Sequence, residues 1–220
     1  AHARAAAHGD IGRLRLAFVS TVGFGLLPRW ILAFRSQHPQ VEFDLVEATG
    51  DVQLAALERG DVDAGFMIHS PGFAPPGLER IRVARESLVV AMPEQHALAR
   101  SRTWQLDAIL AEPLVIFPRR IVPSLHDAVF GLYHARGRTP HVVQEAIQMQ
   151  TIVNLVAAGL GLAWVPDSVR EFQRSGVVYR QPGAGRVPGC ETSLVWPAGA
   201  QGNPALERFL SFARQQLRAK

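Results

Sequence analysis

One stretch limits the fold more than any other: Leu14-Arg15-Leu16-Ala17-Phe18-Val19-Ser20-Thr21-Val22-Gly23-Phe24-Gly25-Leu26-Leu27-Pro28. Leu14, Leu16 and Phe18 recur at every second position, the period of a strand with one buried face. Leu27, Trp30, Ile31 and Phe34 then follow at helical spacing, the apolar stripe of a packed helix. A strand that feeds directly into such a helix is the repeating unit of a parallel α/β sheet. Ser20 and Thr21 stand where the backbone turns. Two hydroxyls beside the free N–H groups of a helix N-terminus suit a carboxylate or a phosphate. Capping of the helix by either hydroxyl accounts for the same residues without a ligand.

The alternation continues. A strand at 14–20 leads to a helix at 25–37, which stops before His38-Pro39. Val41, Phe43 and Leu45 mark the next strand. A helix begins near Thr49 and ends at Gly60, a C-cap glycine. Val62, Ala64 and Phe66 form a third strand, so the order predicts a parallel sheet with right-handed crossovers. A Pro/Gly-rich loop at 70–77 precedes two strands, at 78–83 and 87–92. Beyond Pro93 the pattern predicts a helix at 103–110, a strand at 114–117 and a helix at 123–136. A strand at 142–146, a helix at 149–158 and a strand at 160–165 follow. Two late strands, 177–179 and 192–196, precede a final helix at 204–217.

The expected fold class is therefore α/β, with two Rossmann-like lobes on a two-strand hinge. The chain leaves the first lobe near Met92-Pro93 and returns near Trp196-Pro197. Residues 13–92 with 197–220 form the first lobe, 93–196 the second, and 1–12 a linker or tag remnant. A cleft between such lobes lies at the carboxyl ends of the parallel strands, where open α/β sheets bind ligands.

Composition excludes several classes. The apolar share of 48% and charged share of 19% are those of an ordinary globular protein. No apolar run approaches the roughly 18 residues of a membrane span, and residues 1–9 hold no secretory apolar core. The net charge is +4, but Lys220 is the only lysine and the arginines are scattered, so no nucleic-acid groove is indicated. Cys190 is the only cysteine, which rules out an internal disulfide and reads as a buried thiol in a reducing cytoplasm.

Catalytic and metal patterns are missing too. The eight histidines are dispersed without metal-ligand spacing. There is no Gly-x-Ser-x-Gly elbow and no Cys-x-x-Cys pair. Gly23-Phe24-Gly25 and Gly159-Leu160-Gly161 lack the third glycine of a dinucleotide fingerprint. Asp61 and Asp63 read as solvent and capping residues. No nucleophile, base and orienter come together, so the chain is expected not to be an enzyme and to need no cofactor. Polar residues instead recur at helix starts: Ser20 and Thr21, Thr49, Ser124, and Gln148 with Gln150 and Thr151. Helix N-termini turned to one cleft favour an anionic small molecule. Phe117 and Trp164, which end strands, either line an apolar pocket there or pack into the core.

Several motifs resemble the effector-binding domain of LysR-type transcriptional regulators. They are Gly25-Leu26-Leu27-Pro28, Phe34-Arg35 to His38-Pro39 with Val41-Glu42-Phe43, and Leu57-Glu58-Arg59-Gly60-Asp61-Val62-Asp63-Ala64-Gly65-Phe66. Leu88-Val89-Val90-Ala91-Met92-Pro93 to Ala99 resembles the family's passage to its second lobe, with His96-Ala97 where His-Pro is commoner. Val153 to Pro166, including Val156-Ala157-Ala158-Gly159-Leu160-Gly161, is also similar. The likeness runs from about Arg13 to Leu217.

The resemblance implies a fold like that of type 2 periplasmic binding proteins, with an inducer in the interlobe cleft. Ser20, Thr21, Thr49, Phe117, Pro118 and Gln148 match the positions that contact it. It also implies a homodimer, and a homotetramer in the full-length protein. The first helix, around Trp30 to Phe34, would pair with the helix at 124–136 of another copy. The periodicity puts the Trp30 stripe in the core, so only its flanks would reach a partner. Family members begin with a winged helix-turn-helix and a linker helix that this chain lacks. The expectation is a truncated regulator that reaches DNA only through that absent head and makes no membrane contact. Two alternatives remain: a stand-alone solute-binding protein of the same fold, and an enzyme built on it.

Overall fold

In a computed structural model of the chain, residues 11–101, 106–182, 187–199 and 203–219 are described. The expected linker or tag remnant lies outside them except for its last two residues, and so does the start of the helix expected at 103–110. In chain order the elements are β1 (Ile11–Phe18), α1 (Ser20–Gly23), α2 (Leu26–Gln37), β2 (Gln40–Glu47), α3 (Gly50–Arg59), β3 (Ala64–His69) and β4 (Leu78–Pro93). Then come α4 (Ala97–Arg100), α5 (Leu106–Ile109), β5 (Leu114–Ile116), α6 (Pro123–His134), β6 (Val142–Glu145), α7 (Met149–Ala157) and β7 (Ala163–Pro166). A 3-10 helix (Asp167–Phe172), β8 (Val177–Arg180), β9 (Gly189–Pro197) and α8 (Pro204–Arg218) complete the order.

The α/β class and the alternation hold, with three local differences. The first strand ends at Phe18, and Ser20 opens a separate one-turn helix. The two strands expected at 78–83 and 87–92 are one strand, β4, because Arg85-Glu86 offers no turn residue to break it. The short α4 and the 3-10 helix carry too few residues to show a period.

The chain divides into two compact units: Ala1–Ile68, Ala74–Ala84 and Thr192–Lys220 in the first, His69–Phe73 and Arg85–Glu191 in the second. The divisions fall earlier than Met92-Pro93 and Trp196-Pro197 because β4 and β9 each run through both units and no turn marks the passage.

In the first unit β1 lies between two parallel neighbours. It pairs with β2 from Ile11↔Gln40 to Phe18↔Glu47 and with β3 from Leu16↔Ala64 to Phe18↔Phe66. The sheet order there is β2-β1-β3-β9-β4. Leu27, Trp30 and Phe34 on α2 are buried, as their spacing requires. They meet Phe209 and Phe212 of α8 in an aromatic cluster, with edge-to-face pairs such as Phe34–Phe209 at 5.3 Å and Trp30–Phe212 at 6.0 Å between centroids. Each such pair contributes about 0.5–1.5 kcal/mol beyond its buried area. Asn203 caps α8, accepting the N–H groups of Ala205 and Leu206, and donates to the Arg13 carbonyl of β1 at 3.3 Å.

In the second unit β5 and β6 run parallel, with Ile116 opposite Glu145, and Leu114 bridges in parallel to Leu162. The later half of β4 is antiparallel to β7 (Leu88↔Pro166) and to β8 (Val90↔Arg180). Leu125, Val129 and Tyr133 of α6 and Ile152, Val153 and Val156 of α7 are buried over these strands. Gly161 must be glycine, since a Cβ there would lie 2.5 Å from the Pro113 carbonyl oxygen. Among the described residues no helix is long and apolar enough to cross a membrane.

Candidate functional site

In the first unit, β1 and β2 end side by side, with Phe18 opposite Glu47. The Ala48 N–H donates to the Phe18 carbonyl at 3.0 Å and the Val19 N–H to the Phe66 carbonyl at 3.2 Å. Ser20 and Thr21 follow one strand and Thr49 follows the other, so these three candidates share one sheet edge, at strand carboxyl ends. Ser20 is 7% exposed and Thr21 8%. Neither caps a helix: the N-cap of α1 is Val19 and that of α2 is Gly25, both without a side-chain capping bond. The capping explanation therefore does not hold at this turn. Thr21 Oγ1 is buried and has no hydrogen-bond partner among the described residues. A buried hydroxyl in that condition costs about 1–3 kcal/mol.

Thr49 differs. It is the N-cap residue of α3, yet its hydroxyl donates to Asp51 in the first turn. The Asp51 charge already complements that helix end. Gln53, one turn on, is fully buried; its Nε2 donates to the Ala48 carbonyl at 2.8 Å and the Phe66 carbonyl at 3.1 Å. It thus ties the turn before Thr49 to the acceptor that holds Val19. A Cβ at Gly65 would overlap Gln53 Oε1, so glycine there gives the amide its place.

The second unit repeats the arrangement. Phe117 and Pro118 follow β5, Gln148 follows β6, and the Ala146 N–H donates to the Ile116 carbonyl at 3.0 Å. Phe117 and Pro118 are buried. Gln148 is the N-cap of α7 and makes no side-chain capping bond. Gln150 Oε1, in the first turn, is buried and has no partner among the described residues. The start of α6 is occupied from within the unit: the Ser70 N–H donates to Ser124 Oγ at 3.1 Å and Ser70 Oγ to the Ser124 carbonyl at 2.8 Å. Trp164 is a core residue, its indole N–H directed at the Tyr133 hydroxyl at 3.4 Å.

His126 was not among the sequence candidates. It is 7% exposed, stacked on Phe130 at 4.2 Å and edge-on to Phe117 at 6.2 Å. Its Nδ1 lies 3.7 Å from Asp127, too far for a hydrogen bond, and has no other partner among the described residues. Burial pushes its pKa below the ordinary histidine value, and Asp127 offsets this in part. Arg119 holds Asp127 with two contacts of 2.7 Å and keeps its carboxyl below the usual range. The sequence signal for His126 was weak: a lone histidine one turn into a helix. Among the described residues no group of three His, Cys, Asp or Glu side chains is placed to hold a metal ion.

Comparison with known proteins gives one answer. The family model described as the LysR substrate binding domain matches residues 7–218. The HTH-type transcriptional regulator IlvR of Caulobacter vibrioides is 43% identical over 195 residues, covering 88% of this chain and 64% of IlvR. The chain thus spans just under two thirds of that relative. The crystal structure of CbnR, a LysR family transcriptional regulator, superposes with a TM-score of 0.81 at 29% identity, over 97% of this chain and 72% of CbnR. The effector-binding domain of BenM with its effector benzoate matches with a TM-score of 0.73 at 26% identity, over 94% of this chain and 93% of that one. These relatives are transcriptional regulators and not enzymes, and the features shared with them are those of the portion that binds effectors. This chain belongs to the LysR family of transcriptional regulators, as an effector-binding domain.

Proposed function

We propose that the chain binds a small anionic effector, with aromatic carboxylates the first class to test, and thereby controls transcription. One observation carries this reading: Thr21 Oγ1, buried at a strand carboxyl end and lacking any partner among the described residues. A ligand oxygen would complete that hydroxyl. Ser20 and Thr49 beside it, and Phe117, Pro118 and Gln148 at the equivalent edge of the second unit, are the other proposed contacts. Gln150, with its unpartnered carbonyl oxygen, joins them. BenM supports the ligand class, since benzoate is its effector.

Binding acts by linkage: the effector favours one arrangement of the regulator over another by the difference in its affinity for the two. Self-association as a dimer, and as a tetramer in a full-length protein, transmits the change to a DNA-binding head. The exposed Leu32 on α2 (75% exposed) is the apolar contribution of that helix to such a contact. A bacterial cytoplasm is the compartment in which a regulator of this kind meets DNA.

A thermal-shift series with benzoate, salicylate and muconate tests the reading. A dose-dependent rise in melting temperature is expected, and Thr21→Val should reduce that rise while leaving the unliganded protein at least as stable as the parent. No shift with any carboxylate, or a shift that Thr21→Val leaves intact, would remove the assignment.

A further inference from the structure

The first unit holds a cavity of about 360 Å³ on the face of α8. It is lined by Glu79 of β4, Trp196 of β9, Gly199, and Leu206, Glu207, Leu210, Ser211 and Arg214 at the α8 side. It is distinct from the sheet edge that carries Thr21, for none of its lining residues belongs to β1, α1, β2 or α3. Its volume is at the small end of the range for small-molecule sites.

The lining has three chemical parts. Trp196, Leu206 and Leu210 are each at least nine-tenths buried and form an apolar floor. Glu79 is fixed from one side, where its Oε2 accepts the Trp196 indole N–H at 3.1 Å. Among the described residues its other oxygen and the carboxylate of Glu207 have no hydrogen-bond partner, and both side chains are exposed. Arg214 is exposed and lies two helical turns from Glu207, so both project from one face. Helical side chains lean toward the N-terminus, which brings the Arg214 guanidinium back toward Ser211 and Leu210. Glu207 and Arg214 form no ion pair with each other or with another described residue.

We propose that this cavity is a second small-molecule site and that it binds an α-amino acid with an apolar side chain. An ammonium carries three donors and an arginine fork takes a carboxylate in two hydrogen bonds. Two glutamates with the Ser211 hydroxyl match the first group, and Arg214 matches the second. The tryptophan and the two leucines receive the side chain. A simple carboxylate would leave both acids unpaired, and a simple amine would leave Arg214 unpaired.

The test is calorimetric titration of the whole chain with L-leucine, L-phenylalanine, isovalerate and isopentylamine. Saturable binding of at least one amino acid is expected, with the two analogues weaker by about tenfold or more. Arg214→Ala and Glu207→Gln, both at exposed positions, should each weaken it by about tenfold at unchanged melting temperature. Thr21→Val should leave it unchanged, which separates this site from the proposed effector site. Lack of saturable binding by either amino acid at millimolar concentration would overturn the proposal. Equal binding of either analogue, or loss of binding in Thr21→Val alone, would overturn it as well.

Discussion

Gln53→Glu is the most searching test of how the candidate site is held. Gln53 is fully buried and donates to two carbonyls, those of Ala48 and Phe66. Glutamate keeps the shape and replaces the donor by an oxygen. Ionised, it would set a carboxylate against two carbonyl oxygens, so it should take up a proton. Full burial raises a glutamate by about three pKa units, and at neutral pH that costs about 4 kcal/mol. The protonated acid restores one of the two hydrogen bonds, so losing the other adds about 1 kcal/mol. The predicted loss is about 5 kcal/mol at pH 7. The sign follows from linkage: the folded pKa lies above the unfolded one, so the ionisation penalty is absent below about pH 4 and grows as pH rises toward the folded pKa. Urea unfolding of both proteins near pH 4.5 and at pH 7 reads this directly. The gap between them should shrink to about 1 kcal/mol in acid. A pH-independent gap would refute the reasoning, because it would mean that the amide is reached by water.

Further outcomes are expected elsewhere. Thr21→Val, which removes an unpartnered buried hydroxyl, should raise unfolding stability by about 1–3 kcal/mol in denaturant titration. His126 has a depressed folded pKa, so its contribution is complete above about pH 6.5 and is lost as pH falls toward the folded value. Melting curves of His126→Phe should show a shallower acid decline between those values than the parent. Gly161→Ala forces a Cβ against the Pro113 carbonyl and should cost about 1–3 kcal/mol in the same denaturant titration. The Cys190 thiol is fully buried and its pKa is pushed well up, so a thiol reagent should react with it only after urea unfolds the chain.

Much of the fold was legible because its signals are local. The 3.6 period of Leu27, Trp30 and Phe34, and the glycine that ends α3 at φ 72°, each state their structure within a few residues. The continuity of β4 was not legible, since a charged pair in mid-strand reads as a gap when its partner strands are unknown. The candidate turns were found as hydroxyls after strands, but their chemistry was not. That Thr21 is unpartnered while Thr49 is bonded to Asp51 depends on rotamers and neighbours. Ser70 on Ser124 and Gln53 on Phe66 join residues far apart in the chain, and no pattern in either segment announces the other.

The packing of α8 bears on how the protein is made. Phe209, Phe212 and the Asn203 bond to Arg13 close the core begun by β1, so the first segment of the first unit to leave the ribosome is completed by the last. Most of the second unit, 85–191, is one continuous stretch and can mature while the ribosome is still adding the rest. Until α8 emerges, the opening βαβ segment waits with the Trp30 and Phe34 face uncovered, a natural client for chaperones. A stop codon just before α8 would therefore unfold the first unit and spare the second.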